Sequence, residues 1–137
     1  MAIYQKTGKQ LSIGVAKAAS TAISANALVT GNGSGYVTPA TSTQAAQGLL
    51  LVSQRTVAST DSDYASATVI PCQALLPGST WVIDVHGTAA TQANVGNSYD
   101  LYDSVSLNLS GTTYKPLTVV GLVGDGSQVE VTYAGTI

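Results

Sequence analysis

The alternation of apolar and polar residues in this chain sharpens from its start to its end. Residues 1–27 are rich in Ala, Ser, Thr and Lys, with apolar side chains thinly spread. Residues 16–27 have the alanine content of a weak helix, but Ser20, Thr21, Ser24 and Asn26 compete for the backbone through their own side chains. An extended arm is at least as well supported there. From Leu28 onward, short β-type runs are separated by Gly-rich turns. Residues 28–30 and 36–38 flank Gly31-Asn32-Gly33-Ser34-Gly35 and predict a hairpin with a flexible tip. Residues 49–57 predict a central strand buried at 49–52, and 68–70 a strand that Pro71 ends or confines to a sheet edge.

The second half alternates more strictly. After the Pro77-Gly78 turn, Trp81, Ile83 and Val85 share one face of a strand, and Val82, Asp84 and His86 the other. Val105, Leu107 and Leu109 alternate with Ser106, Asn108 and Ser110. The strongest hairpin signal is Gly124-Asp125-Gly126 between 117–123 and 128–133, with Val129, Val131 and Tyr133 facing inward. The two inward sets, Trp81/Ile83/Val85 and Val129/Val131/Tyr133, are expected to meet in one core. Asp61 and Asp63 are candidate caps for one helical turn over 61–67. The pattern thus predicts an all-β fold, a compact small barrel or sandwich of about seven to eight short strands over 27–137. Residues 1–26 form an extended N-terminal arm in this reading.

Composition narrows the chemistry. Leu, Ile, Val and Phe supply 33 of the 137 residues, enough for one domain with its own core. A lone Cys excludes an internal disulfide or Cys-based zinc cluster, and a lone His excludes a multi-histidine metal site. Lys6, Lys9, Lys17 and Arg55 precede the first acidic residue, so residues 1–60 carry +4 and residues 61–137 carry −6, for a net −2. Such sparse positive charge makes no nucleic-acid surface, but it suits an acidic partner or contact between copies. The opening residues lack the apolar h-region of about 7–15 residues that marks a secretory signal, and no run reaches the roughly 18 apolar residues of a membrane span. The expectation is a protein kept or assembled in the cytosol, with no membrane partner.

Few groups are placed for catalysis. Cys72 and His86 are the one thiol–imidazole pair, without a third, orienting group, and Cys72 lies in the apolar setting Ile70-Pro71-Cys72. Asp84 and His86 stand about 6–7 Å apart along one strand face, which a solvated sheet surface explains. Asp100 and Asp103 bracket Leu101-Tyr102 as a candidate cation pair, but lack the graded ligands of a calcium loop. The glycine-rich tip at 31–35 lacks the Lys-Ser/Thr ending of a phosphate loop. Seven Tyr and Trp81 are spread along the chain rather than gathered into a stacking platform. The reading is a non-enzyme with no cofactor, no metal and no catalytic residues.

The order of the motifs carries a resemblance. An Ala-Leu-Val-Thr-Gly strand at 27–31 leads to Gly-Tyr-Val-Thr-Pro-Ala at 35–40 and then Gly-Leu-Leu-Leu-Val at 48–52. Gln92-Ala-Asn-Val-Gly96-Asn-Ser-Tyr99-Asp100-Leu101 precedes Val105-Ser-Leu, and the chain closes on Val-Val-Gly-Leu-Val and Val-Glu-Val-Thr-Tyr strands. Over residues 27–134 this resembles the head decoration, or cement, proteins of tailed bacteriophages. The resemblance implies a structural virion protein on the outer capsid surface, assembled in the host bacterial cytoplasm. It implies the major capsid protein and neighbouring copies of itself, commonly in homotrimers, as partners. It implies no catalytic residues. An arm that reaches along the capsid makes Ile3, Tyr4, Lys6, Lys9, Leu11, Ile13 and Lys17 the candidate contact residues, and predicts that the β-domain folds without residues 2–17. The alternative is a surface adhesion or glycan-binding β-module, to which the Ser/Thr-rich β pattern and the Tyr content point.

Overall fold

In the computed structural model, residues 3–46, 48 and 50–135 are described. They form eleven strands and one short 3₁₀ turn, with no α-helix. The strands are β1 (Ile3–Thr7), β2 (Ser12–Ala16), β3 (Leu28–Gly31), β4 (Val37–Pro39), β5 (Leu50–Ser53), β6 (Val69–Ala74), β7 (Thr80–Val85), β8 (Ser98–Leu101), β9 (Ser106–Asn108), β10 (Leu117–Val123) and β11 (Gln128–Tyr133). The 3₁₀ turn, Gln92–Asn94, precedes β8.

Two sheets result. The first has the order β1-β7-β11-β10-β8-β9, and β9 also pairs in parallel with β7 through Asp84↔Ser106 and Val85↔Leu107, so its line of pairing comes back on itself. The second has the order β2-β6-β5-β3-β4, and a bridge between Lys17 and Val37 draws β2 toward β4.

Strict alternation in the second sheet makes it a wall between two cores. Leu28, Leu50 and Val52 face the first sheet, joining Ile3, Trp81, Ile83, Leu107, Val119, Val129 and Val131. Val29, Leu51, Ile70, Cys72 and Ala74 face the opposite way, where Ile23, Val57 and Tyr64 from the connecting segments cover them. All four residues of β5 are therefore buried. The expected joint core of Trp81, Ile83, Val129, Val131 and Tyr133 is present, with half-buried Val85 packed against it.

Several expectations are corrected. Residues 3–17 are not an extended arm: β1 pairs antiparallel with β7, and β2 with β6. The 18–27 stretch is not helical, because Ser20 and Asn26 adopt left-handed φ values of 52° and 57° and Ile23 bridges to Val57. Residues 61–67 likewise form successive turns, with Asp61 Oδ2 accepting from the Ala58 N–H at 2.8 Å rather than capping a helix. Leu49, where the central strand was expected to begin, lies outside the described residues, and that strand ends at Ser53 rather than 57.

Pro71 neither ends β6 nor lies at an edge, since β6 sits between β2 and β5. The reason is local. Even-numbered residues of β6 bond toward β2, as the Ala74 N–H to Leu11 carbonyl bond of 2.9 Å shows, so Pro71 turns its missing donor toward β5. That strand has already ended at Ser53, and only the Gln54 N–H reaches the Pro71 carbonyl, at 2.9 Å. The proline thus costs one ladder bond at a place where the ladder stops.

Candidate contact surface

The structure divides the seven contact candidates by depth. Ile3 is fully buried in the first core, and Lys17 is fully buried beside the second. Neither is a surface contact, which corrects the sequence reading. Lys17 Nζ donates to the carbonyls of Tyr64 at 2.7 Å and Ala18 at 3.1 Å and lies 5.4 Å from the centre of the Tyr64 ring. Its apolar stem packs while the ammonium finds fixed acceptors, the arrangement that makes a buried lysine tolerable. Ile13 is half-buried against the second core. Tyr4, Lys6, Lys9 and Leu11 remain at the surface.

Alternation along β1 produces this split. Ile3 and Gln5 point inward opposite Ile83 and Trp81, so Tyr4 and Lys6 point outward. Lys6 Nζ meets Glu130 Oε1 of β11 at 3.0 Å. That bond, followed by one from Thr80, holds the Glu130 carboxyl below its ordinary range. Arg55 pairs with Asp63 at 2.5 Å. Two of the four early positive charges are therefore matched by later acids and a third is buried, so the division of charge read from the sequence does not survive as two charged faces.

Lys9 differs: among the described residues it has no ion-pair partner. It lies in the β1–β2 linker, on a cleft of about 290 Å³ lined by Gly8, Lys9, Leu76, Pro77, Gly78 and Ser79. The linker is held against the β6–β7 turn. Gln5 Nε2 donates to the Lys9 carbonyl at 2.8 Å and Ser79 Oγ donates to it at 3.3 Å. Gly8, at φ 101°, runs so close to Ser79 that a Cβ there would stand 2.7 Å from the Ser79 Cα. Only glycine fits both the left-handed backbone and the approach. The lysine side chain is thus presented from an anchored main chain, with exposed Leu11 two residues on. Leu76 and Ser79 carry no signal in the sequence; the Pro77-Gly78 turn is the one pointer to that wall.

The other chemistry-bearing side chains do structural work. Cys72 lies in β6 of the second sheet, whereas His86 follows the end of β7 in the first; Cys72 is buried in the second core, and burial pushes its thiol up to about 11, far from a thiolate. His86 stacks face to face on exposed Tyr102, ring centres 3.4 Å apart. Asp84 accepts from Gln128 Nε2 at 2.8 Å. Asp103 Oδ1 accepts from the Val105 N–H at 2.9 Å and Ser106 Oγ at 2.7 Å, forming the turn into β9.

Asp100 is a loop clamp. Its buried carboxylate accepts from the N–H groups of Thr113, Tyr114 and Lys115 at 3.2, 2.6 and 2.8 Å, and Lys115 takes a left-handed φ of 53° in closing that cradle. Burial raises the Asp100 pKa, but the three backbone donors outweigh it and the net shift is downward. The clamp's contribution is therefore complete above the ordinary aspartate value of about 4 and lost as pH falls through the lower folded-state value. Asp100→Asn is expected to cost about 1.5–3 kcal/mol near neutrality, the usual worth of hydrogen bonds to a charged group, and to shallow the acid limb of stability. Denaturant titrations at pH 7 and pH 3 check this; an unchanged difference between the two pH values would show that Asp100 carries none of the acid sensitivity.

Comparison with protein-family models, with curated proteins and with solved structures finds no match in any of the three.

Proposed function

We propose that this chain is a structural virion protein that binds the outer surface of a tailed-phage capsid and stabilises the head lattice, with the major capsid protein and neighbouring copies as partners. The order of strand motifs over residues 27–134 supports this reading. The observation that carries it in the structure is the rim at the β1–β2 linker. There the Lys9 ammonium is without an ion-pair partner among the described residues and stands on an anchored backbone beside exposed Leu11. Tyr4 and Lys6 extend the candidate surface along the outer side of β1. A shallow, fixed contact of this kind suits many identical weak attachments on a lattice better than it suits capture of a small substrate.

The test is co-sedimentation of purified protein with undecorated phage heads. The unaltered protein is expected in the pellet, and Lys9→Glu is expected to weaken binding about tenfold, the loss of roughly 1.4 kcal/mol, without altering the fold. Failure of the unaltered protein to sediment with heads would overturn the reading. Equal binding by Lys9→Glu would remove the rim from it.

One observation favours the adhesion or glycan-binding alternative: the exposed His86–Tyr102 stack near the Asp84–Gln128 pair is the kind of aromatic surface on which a sugar ring packs. Retention on immobilised polysaccharide that Tyr102→Ala abolishes would select that reading instead.

A further inference from the structure

The strands at the free edges of the two sheets are not equally protected. In the first sheet β1 carries Lys6 and a register break between Gln5 and Thr7. In the second, β4 is only three residues long and ends in Pro39. Charge, irregularity, shortness and proline are the devices that stop an edge from pairing with another chain. β2, at the other edge of the second sheet, has none of them. Ser-Ile-Gly-Val-Ala is uncharged and proline-free, and its five pairs with β6 run without a shift.

The register shows which groups are left over. Leu11 accepts from the Ala74 N–H at 2.9 Å and Lys17 donates to the Thr68 carbonyl at 2.9 Å, so odd-numbered residues bond toward β6. The main-chain groups of Ser12 and Gly14 point away from the sheet, and both residues are exposed. Farther along, the Lys17–Val37 bridge closes the edge.

We infer that β2 pairs with β2 of a second copy of this chain, antiparallel about a two-fold axis at Ile13. Ser12 and Gly14 of each copy then exchange main-chain hydrogen bonds with Gly14 and Ser12 of the other. Leu11 comes opposite Val15 of the second copy, carrying the row Leu11, Ile13 and Val15 across the seam and covering Leu11, which is 42% exposed in the single chain. Charge selects this occupant. Two-fold pairing sets the edge strand against an identical strand, so a charged edge meets its own charge while the uncharged β2 does not. Gly14 has no side chain to obstruct the approach. The inference is independent of the capsid reading, because it concerns the protein without heads.

Sedimentation velocity on the full chain, up to millimolar concentration, tests it. The unaltered protein is expected to move from 13.8 kDa toward twice that mass as concentration rises. Ser12→Lys places two lysines across the axis, and Ser12→Pro deletes a donor that points away from β6; both are expected to remain monomeric with an unchanged far-UV spectrum. Hydrogen exchange at the Ser12 and Gly14 amides should slow with concentration in the unaltered protein only. A monomer at every concentration, a trimer, or variants that dimerise as the unaltered protein does would each overturn the inference. If one variant fails to fold, the other variant and the exchange at Gly14 still decide it.

Discussion

Trp81→Ala is expected to destabilise the protein by about 3–5 kcal/mol, a large share of the roughly 5–15 kcal/mol that holds a domain of this size together. Trp81 is only 1% exposed and lies where β1, β7 and β11 meet, with Gln5 and Val131 as its cross-strand neighbours. The indole ring is the largest fully buried side chain in the molecule's described part. Yet among the described residues its Nε1 has no hydrogen-bond partner, and neither does Gln5 Oε1 across the strand pair. A buried donor left unpaired costs about 1–3 kcal/mol. Trp81→Phe removes that donor while keeping most of the ring, so it is expected to fall within about 1 kcal/mol of the unaltered protein. Denaturant midpoints of the two variants check both statements. Equal damage from Phe and Ala would show that the indole N–H is bonded after all.

Removal of residues 2–17 is expected to abolish cooperative folding, the reverse of what an arm would permit. The deletion strips an edge strand from each sheet, withdraws Ile3 from the first core and takes away Lys17, which bridges β2 to β4. Ile3→Ala alone should cost about 2–5 kcal/mol; with two strands gone as well, the loss exceeds the stability available. Far-UV circular dichroism and the presence or absence of a thermal transition give the answer. A truncated chain with a native spectrum and a sharp transition would mean that β1 and β2 add nothing the other nine strands need.

The elements legible in the sequence are those whose partners are close in the chain and whose alternation is strict. The β10–β11 hairpin, the β3–β4 hairpin and the inward face of β7 all follow from period-two patterns beside glycine turns. β1 and β2 were hidden because what fixes them is far away: β1 pairs with residues 80–83 and β2 with residues 69–73. Leu11, Ile13 and Val15 do alternate, but three residues in an Ala/Ser/Thr-rich stretch read as scatter until β6 lies beside them. Thinly spread apolar side chains do not reveal the ladder bonds those two strands make, nor the full burial of Ile3 and Ile23. The candidate surface was half legible for the same reason. Tyr4, Lys6, Lys9 and Leu11 are at the surface, whereas Lys17 is drawn inside by the Tyr64 carbonyl, 47 residues away. A lysine's burial depends on acceptors that only the tertiary fold supplies.

The way the strands are shared between the sheets also sets an order of assembly. Every strand of the second sheet lies within residues 12–74, whereas the first sheet draws on residues 80–133 and on β1. A growing chain holds all the strands of the second sheet once residue 74 is free of the ribosome, and its ladder asks nothing of later sequence. β1, although it precedes every other strand described, has no seat until β7 has emerged, and β7 has no partner on its other side until β11 follows. The earliest of these strands thus docks only after the whole second sheet has been made, closing a loop of about 75 residues and tying the later strands back onto the early ones.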